Sequence, residues 1–414
     1  MFFGLAAIGY EAGIVGYLIG LGYAIGLLMF SKLSARIKPL MDGNNCDTLD
    51  DYIRSRFGSK AHGAVTLLNL VFFLAVLAAQ FVAVASLVSI FHESLHYSVI
   101  LSITALSTIL YTMSSGHKGV IFTDRLQIFF ILVAAIIVFG DLLNLTDLNS
   151  TLSINVEGYY TGTAYGVAFL IGTLLFFPFT VICRSDLWQR IASAKDARTI
   201  ERSIKATIPP LMVFYFLFTT IGIFSRSITS DAINPETSGL EVFVENLTSG
   251  TFPSIVQYTL LGIVIIGILS ALFSTIDTNL NVVSVAVSKF VFSRSFYIDH
   301  ERNSINKIRV VVLALGFLGL AFSIMLPDIV DLIVGAGTVL LILLPSILDS
   351  IYSEVKISHI PGVLSIIGGL LVFLVFFIFI TTKTAFIPAT AIAFLLFYIS
   401  KAINSKKQNE FRNS

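Results

Sequence analysis

The chain has 414 residues, of which 56% are hydrophobic and only 12% charged, whereas soluble domains carry about twice that charged fraction. With a mean hydropathy of +0.90, this composition excludes a cytosolic enzyme and a disordered chain, and two cysteines, Cys46 and Cys183, are too few for a disulfide scaffold. The net charge of +1 gives no pull toward nucleic acid, so the sequence reads as an all-α integral membrane protein whose solvent is the lipid bilayer.

A helix crossing a hydrocarbon core of about 30 Å takes about 20 mostly apolar residues. A short apolar piece at about 2–10 comes first. Full spans are then predicted at about 12–37, 63–91, 97–115, 119–145, 161–182, 206–228, 253–291, 306–326, 328–350, 359–381 and 384–401, about eleven in all. Met1 runs straight into Phe2, Phe3 and Gly4 without a basic n-region, so no cleavable signal peptide is expected. Of the 26 Lys and Arg residues, all but Arg226 and Lys383 fall on one side of this arrangement. That side, and the C-terminus with it, is expected to face the cytoplasm. Both cysteines then lie in or beside a reducing compartment as free thiols.

Polar groups inside spans cost several kcal/mol unless they face protein, water or an ion. Taken in chain order, Gln80 in the second span needs either a cavity or a partner helix. Asp124, at the start of the fourth, either pairs with Arg125 or Lys118 at the interface or serves as a cation ligand. At the end of the fifth, Pro178 favours a kink or break, and Cys183-Arg184-Ser185-Asp186-Leu187-Trp188-Gln189-Arg190 follows. That cluster is either a polar lining or an interfacial anchor with Trp188 in the aromatic belt. In the seventh, Ala271, Ser274, Asp277 and Thr278 share one helical face at spacings of three and four, with Thr275 beside them. Their hard oxygens suit a cation such as Na+, although hydroxyls in spans also bond backbone carbonyls. His92 and His96 lack further ligands for zinc. Glycines at 9, 13, 16, 20, 22 and 26 present a small-residue face for close helix packing.

Five pieces in order resemble the sodium/solute symporter family of proline, pantothenate, sialic acid and glucose carriers. They are Gly4–Gly13 with Ala7-Ile8-Gly9-Tyr10, Thr48–Ser59 in a basic loop, Tyr111–Gln127 with its Thr-Asp-x-x-Gln ending, Gln189-Arg190 with Ala194-Lys195-Asp196, and Ala271–Leu280. The resemblance covers about residues 1–350. It implies a LeuT-like fold of inverted five-helix repeats with broken helices at the midplane. The first repeat would fall at 1–145 and the second at 161–350, with accessory helices and a cytoplasmic tail at 351–414. It also implies a common sodium site at the Ala271 carbonyl, Ser274 and Thr275, and a second sodium site from Asp124, Ser274, Asp277 and Thr278. The family begins with one more helix and the first half of its broken helix, which this chain is expected to lack.

The resulting expectation is sodium-coupled symport of a small organic solute at the cytoplasmic membrane, with Na+ as coupling ion, no organic cofactor and no nucleic-acid partner. Gln80 and Asp186 are expected to touch the solute. Gly20 replaces the acidic residue of sugar carriers, which disfavours a sugar and leaves an anion or zwitterion. The alternatives are a solute-sensing membrane module that does not transport, or an inactive truncated remnant. An intramembrane enzyme finds no catalytic constellation here, and the oligomeric state stays open.

Overall fold

A computed structural model describes residues 2–91, 97–229, 234–250, 253–292, 301–325, 329–353, 358–379 and 383–413; His92 and His96 lie outside them. The described residues form helices, with no strand among them. In order these are α1 (Phe2–Ala12), α2 (Val15–Gly43), α3 (Leu49–Phe57), α4 (Ser59–Phe91), α5 (Tyr97–Leu145), α6 (Leu148–Leu152), α7 (Val167–Ile182), α8 (Ser185–Ser193), α9 (Ala197–Ile228), α10 (Ser238–Ser249) and α11 (Ser254–Val291). After them come α12 (Glu301–Met325), α13 (Ile329–Val339), a 3₁₀ turn at Leu340–Leu343, α14 (Leu344–Tyr352), α15 (His359–Phe379) and α16 (Phe386–Asn413).

Ten stretches among the described residues are long and apolar enough to cross a bilayer, so the chain is a multi-pass membrane protein. The expected span at 97–115 corresponds to Ser98–Met113, which is apolar but shorter than the ten, and it continues in one helix with the span after it. Large apolar side chains turn outward: Ile103 is 64% exposed and Ile255 75%. Such faces are stable against lipid rather than water.

Local sequence explains the joints. The Thr48 hydroxyl accepts the Asp51 amide at 3.0 Å and caps α3, with Asp50 and Asp51 in its first turn and Arg54 and Arg56 in its last, each sign at the end the helix dipole favours. Pro178 frees a backbone carbonyl, yet α7 runs on to Ile182 and the chain breaks at Cys183–Arg184. Gly13 joins α1 to α2 at φ +57°, where a side chain would also strike the Tyr159 carbonyl. At Gly222 a methyl would stand 1.9 Å from the Ala6 carbonyl oxygen, which fixes how closely α9 approaches α1.

The interior is two apolar clusters, one around Phe30, Tyr52, Phe57 and Trp188, the other around Ala7, Val82, Phe218 and Ile268. Trp188 is fully buried, stacked on Tyr52, and donates its indole N–H to the Ile182 carbonyl at 2.8 Å. It is a core residue, which removes the interfacial-anchor reading of that segment. Cys46 and Cys183 are buried free thiols. The two basic residues that orientation set apart both pack at the end of α1. The Arg226 guanidinium lies 5.0 Å from the Tyr10 ring centre, and Lys383 lies 3.7 Å from the Glu11 carboxylate and 3.9 Å from the Tyr165 ring centre.

Candidate functional site

Between the two clusters lies a cavity of about 380 Å³, walled by Phe72 from one and by Phe169 and Tyr215 from the other. This is within the usual range for small-ligand sites. Among its polar groups are Asp124 on α5; Ser274, Thr275, Thr278 and Asn279 on α11; Gln80 on α4; and Thr180, Arg184, Asp186 and Arg190 from α7, α8 and the break between them.

On one wall the Ser274 hydroxyl donates to the Asp124 carboxylate at 2.5 Å, across 150 residues of sequence. Asp124 makes no ion pair with Arg125 among the described residues. The Thr275 hydroxyl donates to the Ala271 carbonyl at 3.0 Å, so carbonyl and hydroxyl oxygens stand together one turn from Asp124's partner. This cluster of hard oxygens with one carboxylate fits a monovalent cation. Asp277 and Ala271 belong to the same helix but do not line the cavity. Asp277 is fully buried, and neither carboxylate oxygen has a hydrogen-bond partner among the described residues.

On the other wall Arg184 grips Asp186 with two parallel bonds, Nε to Oδ1 and Nη2 to Oδ2, both 2.9 Å. Such forked pairs are stronger and more directional than single ion contacts. The guanidinium carbon lies 5.9 Å from the ring centres of both Tyr23 and Phe72. Gln80 is 4% exposed and its Oε1 has no hydrogen-bond partner among the described residues, nor has Nδ2 of Asn279. The structural hydrogen bond considered for Gln80 is therefore missing from its acceptor, and both residues line the cavity with these amide atoms buried and unsatisfied, which is costly.

Thus Gln80, Asp124, Asp186, Ser274, Thr275 and Thr278 converge on one cavity. Sequence reasoning missed Tyr23, Tyr215 and Phe386, aromatic wall residues with nothing in an apolar sequence to mark them, and Asn279, whose carboxamide one turn beyond Thr275 was a usable signal. It also missed Asp50. On the basic side of the cavity this buried carboxylate accepts from Thr66 (3.1 Å), Asn69 (3.1 and 3.2 Å) and Ser185 (3.5 Å), tying α3 and α4 to the start of α8. Burial pushes its pKa up to about 6.

Helices spanning a membrane around a cavity with an oxygen-rich wall and a guanidinium wall define a carrier-type membrane protein with the LeuT-like fold. The chain belongs to the sodium:solute symporter family, whose profile matches residues 1–355. It is 30% identical over 141 residues to the sodium/myo-inositol cotransporter 2 proteins of Oryctolagus cuniculus and Mus musculus; that stretch is 34% of this chain and 20% of each relative. Among solved structures, a Na+-coupled sialic acid symporter in a substrate-bound outward-open state superposes with a TM-score of 0.71 at 16% identity, covering 97% of this chain and 88% of that one. A nucleobase-cation-symport-1 family transporter with bromovinylhydantoin bound superposes at 0.53 and 14% identity, covering 98% and 92%. At these identities the likeness speaks for the fold.

Proposed function

We propose that the chain carries out sodium-coupled symport of a small organic solute across the cytoplasmic membrane by alternating access, with its basic end and C-terminus in the cytoplasm. The observation that carries this reading is the Ser274–Asp124 contact inside a cavity shared with Thr275 and Thr278, in a chain of the sodium:solute symporter family. In this reading Ala271, Ser274 and Thr275 hold the common sodium ion. Asp124, Ser274 and Thr278 hold a second, with buried Asp277 as the carboxylate behind it. Gln80 and Asp186 face the solute. The inverted repeats are 1–145 and 161–350, and 351–414 is accessory. Sodium drives the cycle because it binds one conformation better than the other, and only such a difference shifts populations.

Binding of radioactive sodium to the purified full chain tests the reading. Ser274→Ala and Thr275→Ala are each expected to lose saturable sodium binding while keeping the parent's thermal midpoint. Undiminished binding in both variants would reject the site.

A further inference from the structure

The family profile ends at residue 355, yet Phe386, in the first turn of α16, lines the cavity. It is 2% exposed and meets the ring of Phe169 on α7 edge-on, with the ring centres 6.5 Å apart. Gly172, one turn further along α7, makes the seat: a methyl there would stand 2.5 Å from the Phe386 ring. Ile8 of α1 lines the same cavity and is also buried. Three segments thus each bring one buried apolar side chain to the cavity, at the end opposite the basic one.

A polar layer continues the same three segments. Glu11 follows Ile8 by three residues, Tyr165 precedes Phe169 by four and Lys383 precedes Phe386 by three, and none of them lines the cavity. They meet one another instead. The Tyr165 hydroxyl donates to the Glu11 carboxylate at 2.7 Å, and Lys383 Nζ lies 3.7 Å from that carboxylate and 3.9 Å from the Tyr165 ring centre. The Tyr165 ring stands edge-on to Phe169 at 5.3 Å, which joins the two layers. The Glu11 and Lys383 side chains are 34% and 28% exposed, so solvent reaches the polar layer and not the apolar one. We propose that α16 supplies the door of the cavity at this end: Phe386 is its plug, framed by Phe169 and Ile8, and the Lys383–Glu11–Tyr165 cluster is its latch. A phenyl ring seated against a glycine swings out without breaking a hydrogen bond of its own. A part-exposed ion pair is weak enough to open reversibly. The side to which the door opens rests on the orientation proposed above.

Thr173, which lines the cavity beside Gly172 and is 2% exposed, serves as the reporter when replaced as Thr173→Cys. A membrane-impermeant methanethiosulfonate is added to intact cells expressing the full chain and, separately, to the detergent-solubilised chain. The labelling rate at position 173 is read. Adding Phe386→Ala is expected to raise it about tenfold or more, since the closed state loses the burial of that ring. Adding Lys383→Met is expected to raise it about threefold, the scale of a part-exposed ion pair, and at about 1 M salt that difference should fade. The native thiols Cys46 and Cys183 are buried and are expected to stay unlabelled in every variant. Where Phe386→Ala shows no thermal transition, Phe386→Leu takes its place, with a smaller rise expected. An unchanged rate in the folded Phe386 variant overturns the plug. So does parallel labelling of the native thiols, which marks general loosening. An unchanged rate in Lys383→Met overturns the latch. Acceleration in the solubilised chain but not in intact cells upholds the door and rejects the orientation. Binding of radioactive sodium by the parent chain tests the symport reading separately, so the failure of either is distinguishable.

Discussion

At the basic end of the bundle Lys289, with a side chain only 6% exposed, holds Asp51 at 2.7 Å and Asp47 at 3.0 Å. Lys38 reaches both Asp42 (2.7 Å) and the Ala192 carbonyl (3.1 Å), Lys401 pairs with Asp349, and Arg56 donates to the Ser353 carbonyl. At the opposite end most ties are neutral. The Tyr159 hydroxyl donates to the Gly9 carbonyl at 2.6 Å, Tyr17 and Thr220 share a bond of 2.8 Å, and Tyr10 and Thr229 one of 3.1 Å. Neutral hydrogen bonds exchanged for water cost only about 0.5–1.5 kcal/mol each, whereas separating a buried ion pair costs several times more. The mostly neutral end is thus the cheaper one to open.

The largest test of that contrast is Lys289→Met. It leaves the Asp51 side chain, 10% exposed, without its buried cation, and the expected loss is about 3 kcal/mol in thermal or denaturant unfolding of the detergent-solubilised chain. Adding Asp51→Asn is expected to restore part of it, since the charge that Lys289 balanced is then gone. A loss below about 1 kcal/mol for Lys289→Met would mean that the charged end is held by packing.

Next comes the pH dependence of Asp50, whose pKa burial raises from 3.8 to about 6. Between these values the folded chain keeps a proton that the unfolded chain has released. Stability therefore falls as pH rises through this window and stays lower above it. Going from pH 7 to pH 5 is expected to stabilise the protein by about 1 kcal/mol through this group. Asp50→Asn should flatten the slope over the same range. An unchanged slope in the variant would assign the pH response to other groups.

Tyr159→Phe probes the neutral end. It removes the bond to the Gly9 carbonyl, and the expected cost is about 1 kcal/mol. That cost should be the same at pH 5 and pH 7 and in low or high salt, because no ionised group takes part. A marked dependence on either would mean that Arg226 or the Lys383–Glu11 pair, packed at the same end, acts on this bond.

How much of this was legible in the sequence differs along the chain. Apolar run length marks the spans well because the bilayer imposes it. Spacings of three and four put Ser274 and Thr278 on one face of α11, since helix geometry dictates that locally. Their meeting with Asp124 is a contact between distant helices, and only the family resemblance brought the two together beforehand. The same spacing also grouped Asp277 with them, yet the helix turns Asp277 away from the cavity into the packing. Pro178 signalled a break, but the break falls five residues later, where the chain has exhausted its apolar run at Cys183. Thr48–Ser59 read as a loop, whereas Leu49–Phe57 is a short helix capped by Thr48. Which of Asp50 and Asp51 turns inward depends on how α4 and α8 pack against α3, and no local pattern encodes that. Arg184 and Trp188 looked alike as interfacial residues, and only tertiary packing sends one to the cavity and the other into the core.

The smallest expected effect sharpens the comparison most directly. Lys205 and Glu201 on α9 form an i,i+4 pair at 2.6 Å, as close as Lys289 and Asp51, but their side chains are 50% and 41% exposed. Water screens that attraction and both long side chains lose freedom in making it, so Glu201→Gln is expected to cost less than any of the changes above. Raising the ionic strength from about 0.01 M to about 1 M shortens the screening length from about 30 Å to about 3 Å. The Glu201 effect should then vanish, while the loss in Lys289→Met persists. If both effects faded together, the Lys289 cluster would be reached by solvent ions, and the charged end would be no stiffer than its surface pairs.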